Sequence, residues 1–143
     1  MSFDIYVAAL PYDESAKFDR AIVVRAFEAI ADDQASDYWL LQMPDGGETS
    51  VSLSIAQDAV ISGFSVNRPP SHSAFPQFWD ALFDVLSQTR TILLWPAGEG
   101  RPPYCVANPT LALGLPSDFL EDMGNPTLVA SGADIVAAIT SSG

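Results

Sequence analysis

The sequence predicts an α+β domain, with helices packed on one face of a mostly antiparallel sheet of about five or six strands. The first observation is a helix-like segment, Ser73–Gln88, that leads directly into an unbroken apolar run at Thr91–Trp95. The second is an Asp-Gly turn between two strand-like runs, a combination that is typical of a β-hairpin. The third is that three strand-like runs follow one another between Tyr38 and Val66, which favours antiparallel neighbours.

The helix in the middle of the chain is predicted because its apolar residues recur at the three- and four-residue spacing of one helical face. Ser73 is the expected N-cap, since its hydroxyl can accept a hydrogen bond from a first-turn N–H. Pro76 then lies in the first turn, where its missing N–H costs little. We expect Trp79 and Phe83 to be buried against the sheet. The full apolar face, with Val85 at its margin, comprises Phe75, Phe78, Trp79, Leu82, Phe83, Val85 and Leu86.

The run Thr91–Trp95 has the length of a strand, and uninterrupted apolar runs of this kind usually lie in the middle of a sheet. Pro96 ends the strand, because a proline cannot donate a sheet hydrogen bond. Gly98–Gly100 supplies turn residues, and Pro103–Val106 is predicted to return as the next strand.

Four further strands are predicted in the first half of the chain. Ser2–Ala9 alternates apolar with more polar residues. Tyr38–Met43 and Ser50–Ile55 flank the turn Pro44–Gly47, and Ala59–Val66 follows as a third antiparallel strand. In the second hairpin strand, serines alternate with apolar residues, so one of its faces is expected to be buried and the other wet or lightly covered.

Helices are predicted on either side of these strands. Asp19 is the expected N-cap of the first helix, with Phe18 and Val23 placed as a hydrophobic staple. Its inner face comprises Ile22, Ala26, Phe27 and Ile30. Near the carboxyl terminus, Asn108-Pro109 has the N-cap and N1 pattern of a short helix. The remaining predicted elements are a turn of helix capped by Ser117 and ended by Gly124, a short strand at Thr127–Ala130, and a last helix at Ser131–Thr140 with Ile135, Val136 and Ile139 inward.

Composition indicates one globular domain, residues 1–143, in the cytoplasm. Hydrophobic residues make up 48% of the chain, which is too many for a disordered protein, and no low-complexity linker divides it. No apolar run approaches the roughly 18–20 residues of a membrane span, and the amino terminus lacks the basic region of a secretory signal. A single cysteine excludes an intramolecular disulfide, and a single histidine excludes the usual His/Cys zinc sites, so no metal or cofactor is expected.

Charge is the strongest signal in the composition. Eighteen acidic residues face six basic ones, and the formal net charge is −12. Such a chain would be repelled by the phosphates of nucleic acids, so a nucleic-acid partner is not expected. A basic protein partner is favoured instead, because opposite charge raises the rate of association. The alternative is that the acidity serves solubility alone.

Two pairs of residues stand out as candidate binding sites. Arg68 and His72 precede the amino end of the predicted helix at Ser73–Gln88, where a carboxylate or another anion is favoured; the alternative is a proline-stiffened crossover whose polar groups face water. Asp32 and Asp33 are predicted to lie in an exposed loop and to form part of an acidic rim for a partner, whereas a divalent-metal site would need a third ligand. The other acids of that rim are Asp13, Glu14 and Asp37.

No catalytic set is evident. Cys105 lies in an apolar strand, where a thiol usually serves as packing, and His72 is the only histidine available as its base. The order of strand, helix, meander, helix and hairpin, with its Asp-Gly-Gly turn, resembles that of small bacterial proteins. The size and acidity are similar to those of immunity proteins that neutralise bacterial toxins. None of the motifs is specific to one family, so the resemblance implies no site residues.

Two functions are therefore predicted as alternatives. In the first, the chain is a non-enzymatic protein-binding domain, an immunity-type inhibitor of a basic bacterial toxin. In the second, it is a small-molecule-binding protein or an enzyme with its site near Arg68, His72 and the hairpin at residues 96–104. The non-enzymatic function is favoured, and the sequence alone indicates no oligomeric state.

Overall fold

A computed structural model describes residues 4–10, 17–31, 38–41, 51–67, 69–96 and 103–142. In this part of the chain the strands are β1 (Asp4–Ala9), β2 (Phe18–Asp19), β3 (Tyr38–Leu41), β4 (Val51–Ser54), β5 (Val60–Ile61), β6 (Gly63–Asn67), β7 (Thr91–Leu94), β8 (Tyr104–Val106) and β9 (Thr127–Leu128). The helices are α1 (Arg20–Phe27), α2 (Pro76–Gln88), α3 (Pro109–Leu113), α4 (Ser117–Met123) and α5 (Gly132–Ser142). The predicted turns at 44–47 and 98–100 lie outside the described residues.

The main sheet has seven strands within the described ranges, in the order β3-β4-β6-β1-β7-β8-β9. Every neighbouring pair is antiparallel except β8 and β9, which are parallel. The α+β class is confirmed, but the predicted count of five or six strands was too small. The short β9 extends the sheet because it pairs with β8 at its edge.

One predicted strand is divided in two. The segment predicted at Ala59–Val66 bends at Ser62, so that β5 pairs with β2 in a separate two-stranded sheet while β6 joins the main sheet between β4 and β1. The bend allows consecutive short strands of one segment to serve two different sheets.

The apolar run at residues 91–95 does lie inside the sheet, as predicted. All four residues of β7 are buried, and the strand is flanked by β1 and β8. Each face of β7 must therefore be covered. Leu93 belongs to the core shared with α1, α2 and α5, whereas Ile92 and Leu94 belong to a second core on the opposite face.

The expectation that all helices lie on one face was wrong. Residues of α3 and α4 pack with the second core, against the face of β7 and β8 that α1, α2 and α5 do not cover. The physical reason is that both sets of alternating side chains in these strands are large and apolar. Exposure of the second set would forfeit the free energy of burial, about 25 cal/mol per Å² of apolar surface. Its buried members are Leu10, Ile92, Leu94, Tyr104, Val106, Leu111 and Leu115.

Helix α2 begins three residues later than its predicted cap. Its N-cap position is Phe75, without a side-chain capping bond, so the assignment of Ser73 as N-cap was wrong. The hydroxyl of Ser71 instead accepts from the backbone N–H of Ala74 at 3.3 Å, which closes the preceding turn. Pro76 lies in the first turn, as predicted.

The buried face of α2 is rotated relative to the prediction. Val85, expected at the margin, is fully buried, whereas Phe83, expected in the core, is only partly buried. Trp79 is buried, as predicted, with 2% of its surface exposed. Because α1 and α5 both pack against α2, its buried arc is wider and differently centred from the arc that a sheet alone would cover.

The predicted helix ends are partly confirmed. The side chain of Asn108 accepts from the N–H groups of Thr110 and Leu111, at 3.0 and 3.3 Å, which is the expected N-cap of α3. Gly124 ends α4 with a φ of 80°, a conformation that favours glycine. Pro116, rather than Ser117, occupies the N-cap position of α4. None of the described helices combines the length and the apolar character needed to cross a membrane.

Candidate functional site

The candidate site lies on the sheet face opposite α1, α2 and α5, in the half formed by β3, β4, β6 and β1. Alternate residues of a strand point to the same side, so register decides which side chains stand next to one another. Tyr38 pairs with Ser54, Ser54 with Ser65, and Ser65 with Tyr6. These side chains therefore form one row across four strands, about 4.8 Å apart from strand to strand.

This face presents large side chains to solvent. Tyr6 is 48% exposed, Tyr38 is 50% exposed, and Leu40, on the same side of β3 as Tyr38, is 44% exposed. We call the group of Tyr6, Tyr38, Leu40, Ser54 and Ser65 the open sheet face. By contrast, the residues of β1 that point the other way, Ile5 and Val7, are buried in the main core.

A pocket of about 630 Å³ opens on this face. Its floor is low because Ala8 and Gly63 face each other in the register, two residues along the strands from the pair Tyr6–Ser65. One of these residues has a single side-chain carbon and the other has none. Its described lining comprises Tyr6, Val7, Ala8, Ser54, Ser62, Gly63, Phe64, Ser65, Leu94, Trp95 and Pro96.

The pocket combines apolar surface with hydroxyl groups. Leu94, Trp95 and Pro96 belong to its lining, together with three serines and Tyr6, which carry hydroxyl groups. Each hydroxyl can both donate and accept a hydrogen bond. None of the described lining residues carries a charged side chain, although the whole chain has 18 acidic and six basic residues. Within the described residues, such a lining can hydrogen-bond an uncharged polar group.

Of the site residues predicted from the sequence, His72 falls within the described part of the chain. His72 lies partly exposed in the turn that precedes α2, and it does not line the pocket. The crossover around it is tied to α2 by the indole N–H of Trp79, which donates to the carbonyl of Pro70 at 3.1 Å. Arg68, Asp32 and Asp33 fall outside the described residues, so their predicted roles stay predictions.

The remaining reactive group, Cys105, is part of the core. Its side chain is fully buried in β8, and burial raises the pKa of the thiol to about 12. A thiol with such a pKa is a poor nucleophile at neutral pH. Burial also raises the pKa of the neighbouring Tyr104, whose hydroxyl donates to the carbonyl of Gly124 at 2.6 Å. Among the described residues, no three His, Cys, Asp or Glu side chains are placed to hold a metal ion.

The sequence contained part of the signal for this face. Tyr6 alternates with Ile5 and Val7, and Ser52 and Ser54 alternate with Leu53, which marks a second, more polar side of each strand. Local alternation does not indicate which strands are neighbours, however. It was therefore impossible to infer that Tyr6 and Ser54 lie on either side of Ser65, or that Ala8 faces Gly63.

Comparison of this chain with protein-family models, with curated protein sequences and with solved structures finds no match. The function must accordingly be argued from the geometry of the site and from the charge of the chain.

Proposed function

We propose that this protein is a non-enzymatic protein-binding domain that recognises a basic protein through its open sheet face. The observation that supports this proposal best is the exposure of Tyr6, Tyr38 and Leu40 together on one side of a sheet. Protein interfaces are enriched in tyrosine, whose ring contributes a large contact area while its hydroxyl satisfies a hydrogen bond. Serines between the aromatic residues supply adaptable hydrogen bonds, a combination that also serves antibody binding loops.

The rigidity of the sheet supports the same function. The backs of these strands are anchored in the main core by fully buried residues, including Ile5, Leu53 and Val66. Tyr6 and Tyr38 are therefore held on a scaffold that does not have to be ordered on binding. Pre-organised side chains lose less conformational entropy when a partner covers them.

Charge supports a basic partner. With a net charge of −12, the chain attracts a cationic protein from a distance and repels most other acidic cytosolic proteins. The finer proposal is an immunity-type inhibitor of a basic bacterial toxin. A domain of 143 residues is large enough to cover a standard interface of roughly 800 Å² on each partner.

The direct test is a binding screen of the purified chain against basic proteins encoded beside it, followed by variants of the open sheet face. The double variant Tyr6→Ala/Leu40→Ala should weaken the affinity for a specific partner by at least about 100-fold, since truncation of an interface hot spot costs about 2 kcal/mol or more of binding free energy. The matched control is Leu113→Ala. Leu113 is 90% exposed on α3, outside the open sheet face, and its loss should leave the affinity unchanged.

If the double variant Tyr6→Ala/Leu40→Ala and the control Leu113→Ala change the affinity equally, the interface lies elsewhere on the protein. The neutralised variant Asp32→Asn/Asp33→Asn tests the acidic rim separately. If these acids steer the partner, this variant should reduce the dependence of the association rate on salt and leave the dissociation rate nearly unchanged.

The alternative is a small-molecule-binding protein or an enzyme, and the pocket of about 630 Å³ is the observation in its favour. This volume falls within the roughly 300–1,000 Å³ of ligand sites. The version of this alternative that uses Arg68 and His72 predicts that phosphate or citrate raises the melting temperature more than chloride does at matched ionic strength. The double variant Arg68→Ala/His72→Ala should abolish that difference, and an unchanged difference would remove these two residues from the site.

A further inference from the structure

We infer that the pocket beside Tyr6 receives a tyrosine side chain of the partner protein, which anchors the complex. This inference rests on the proposed function and names the group that the open sheet face would bind. The pocket is continuous with that face, because Tyr6, Ser54 and Ser65 belong to both. It is also the place on the face where a protruding side chain finds space below the level of its neighbours.

The depth of the pocket has a clear cause in the sequence. Along β1, Tyr6 and Ala8 point to the same side, and along β6 so do Ser65 and Gly63. The register places Tyr6 opposite Ser65 and Ala8 opposite Gly63. The sheet surface therefore drops from an aromatic ring to almost bare backbone between two register positions that are two residues apart.

The lining selects the chemistry of the occupant. A ring that enters the pocket meets apolar residues of the lining, among them Leu94, which pairs with Tyr6 across β7 and β1, and Pro96. At its polar edge it meets hydroxyls from Ser54, Ser62 and Ser65, which can donate or accept. An aromatic ring with one hydroxyl matches both features, whereas leucine would leave the serines without a partner.

The described lining does not favour the more obvious occupant for an acidic protein. A basic partner offers many arginine and lysine side chains, but none of the described lining residues provides a carboxylate to receive one. From these described residues, a guanidinium or an ammonium group would gain no ion pair to offset its desolvation. Basic residues of the partner would instead surround the anchor, in the arrangement of an uncharged interface centre with a polar rim.

Isolated side-chain analogues test this inference without knowledge of the partner. The ¹⁵N-labelled full chain is titrated with p-cresol, the analogue of tyrosine, and separately with n-propylguanidine and n-butylamine, the analogues of arginine and lysine. We expect p-cresol to shift the amide signals of Ser54, Ser65 and Leu94 saturably, with a dissociation constant of about 1–10 mM for so small a ligand. The two cations should produce no saturable shift at these residues.

Variants assign the shifts to the pocket. Tyr6→Ala removes a ring from the lining of the pocket, and Ala8→Val raises its floor. Each variant should weaken the binding of p-cresol about fivefold or more. Tyr38→Ala is the matched control, because Tyr38 has nearly the same exposure in the same row but does not line the pocket. The folded state of each variant is read from the same spectra.

Absence of saturable shifts in the wild-type chain would overturn the inference. So would cations that bind as well as p-cresol, or an affinity for p-cresol that Tyr6→Ala and Ala8→Val both leave unchanged. The proposed function can fail separately. If p-cresol binds while the screen yields no protein partner, the result supports the pocket as a binding site and contradicts the protein-binding role. If a partner binds but p-cresol does not compete with it, the result contradicts the tyrosine anchor and supports the protein-binding role.

Discussion

At two of the described glycines the packing leaves no room for a single side-chain carbon. A Cβ on Gly132 would lie 2.7 Å from the carbonyl carbon of Trp79 and 2.9 Å from the backbone nitrogen of Asp80, so α5 begins directly against the backbone of α2. A Cβ on Gly63 would overlap the carbonyl oxygen of Val7. Glycine is needed at both positions for close approach. At Gly63 the same bare backbone forms part of the pocket floor.

Because of Cys105, the free energy of unfolding should vary with pH in the alkaline range. Burial raises the pKa of its thiol from 9.0 to about 12, so the unfolded chain releases this proton at lower pH than the folded chain does. The stabilising contribution is therefore complete below about pH 9 and declines as the pH rises towards 12, by up to about 4 kcal/mol. In urea titrations between pH 7 and 11, the free energy of unfolding should fall more steeply for the wild type than for Cys105→Ala.

Tyr104→Phe is a useful comparison in the same titrations. Burial raises the pKa of Tyr104 as well, so its removal should also reduce the alkaline slope, while the lost hydrogen bond to Gly124 lowers stability at every pH. Identical slopes for wild type and Cys105→Ala would contradict the burial of the thiol.

At the scale of the element, local sequence patterns predicted the type of most segments well. The apolar period of α2, the buried run of β7 and the Asn108 cap of α3 all depend on spacings within a few residues, and all three are present. The start of α2 and the centre of its buried face were not predicted correctly. Both depend on what packs around the helix, which local spacing does not specify.

The rotated face of α2 gives a prediction within one helix. Phe78 is fully buried and stacks edge-on to Trp79 with ring centroids 4.8 Å apart, whereas Phe83 is only partly buried. Phe78→Ala should cost about 3–5 kcal/mol of unfolding free energy, and Phe83→Ala less than about 2 kcal/mol. Denaturant titrations of the two variants make the comparison. Equal losses would support the original prediction that Phe83 is buried.

At the scale of the whole molecule, the excess of acidic residues should oppose folding through mutual repulsion. Eighteen acids and six bases on a folded chain of 143 residues raise its free energy at low ionic strength. Salt screens this repulsion, with a Debye length that shortens from about 30 Å at 0.01 M to about 8 Å at 0.15 M. The melting temperature should therefore rise between 10 and 150 mM sodium chloride, as measured by circular dichroism.

The sign of this salt effect is opposite to the one expected for binding. Screening stabilises the acidic domain itself but slows its association with a basic partner. A melting temperature that falls with salt would indicate that favourable ion pairs, rather than net repulsion, dominate the electrostatics of the folded chain.

The sequence by itself determined the kind of each main element, the acidic character of the chain and the two-sided pattern of strands β1 and β4. These properties are local or additive, so each can be counted along the chain. Only the tertiary structure decided that β1 lies between β6 and β7, that α3 and α4 cover a second face, and that β9 joins the edge in parallel. The pocket belongs to this second group. Its floor needs Ala8 and Gly63, 55 positions apart in the chain, to meet, and the free energy that sets this register comes from burying Ile5, Val7 and Val66 on the opposite side of the same strands.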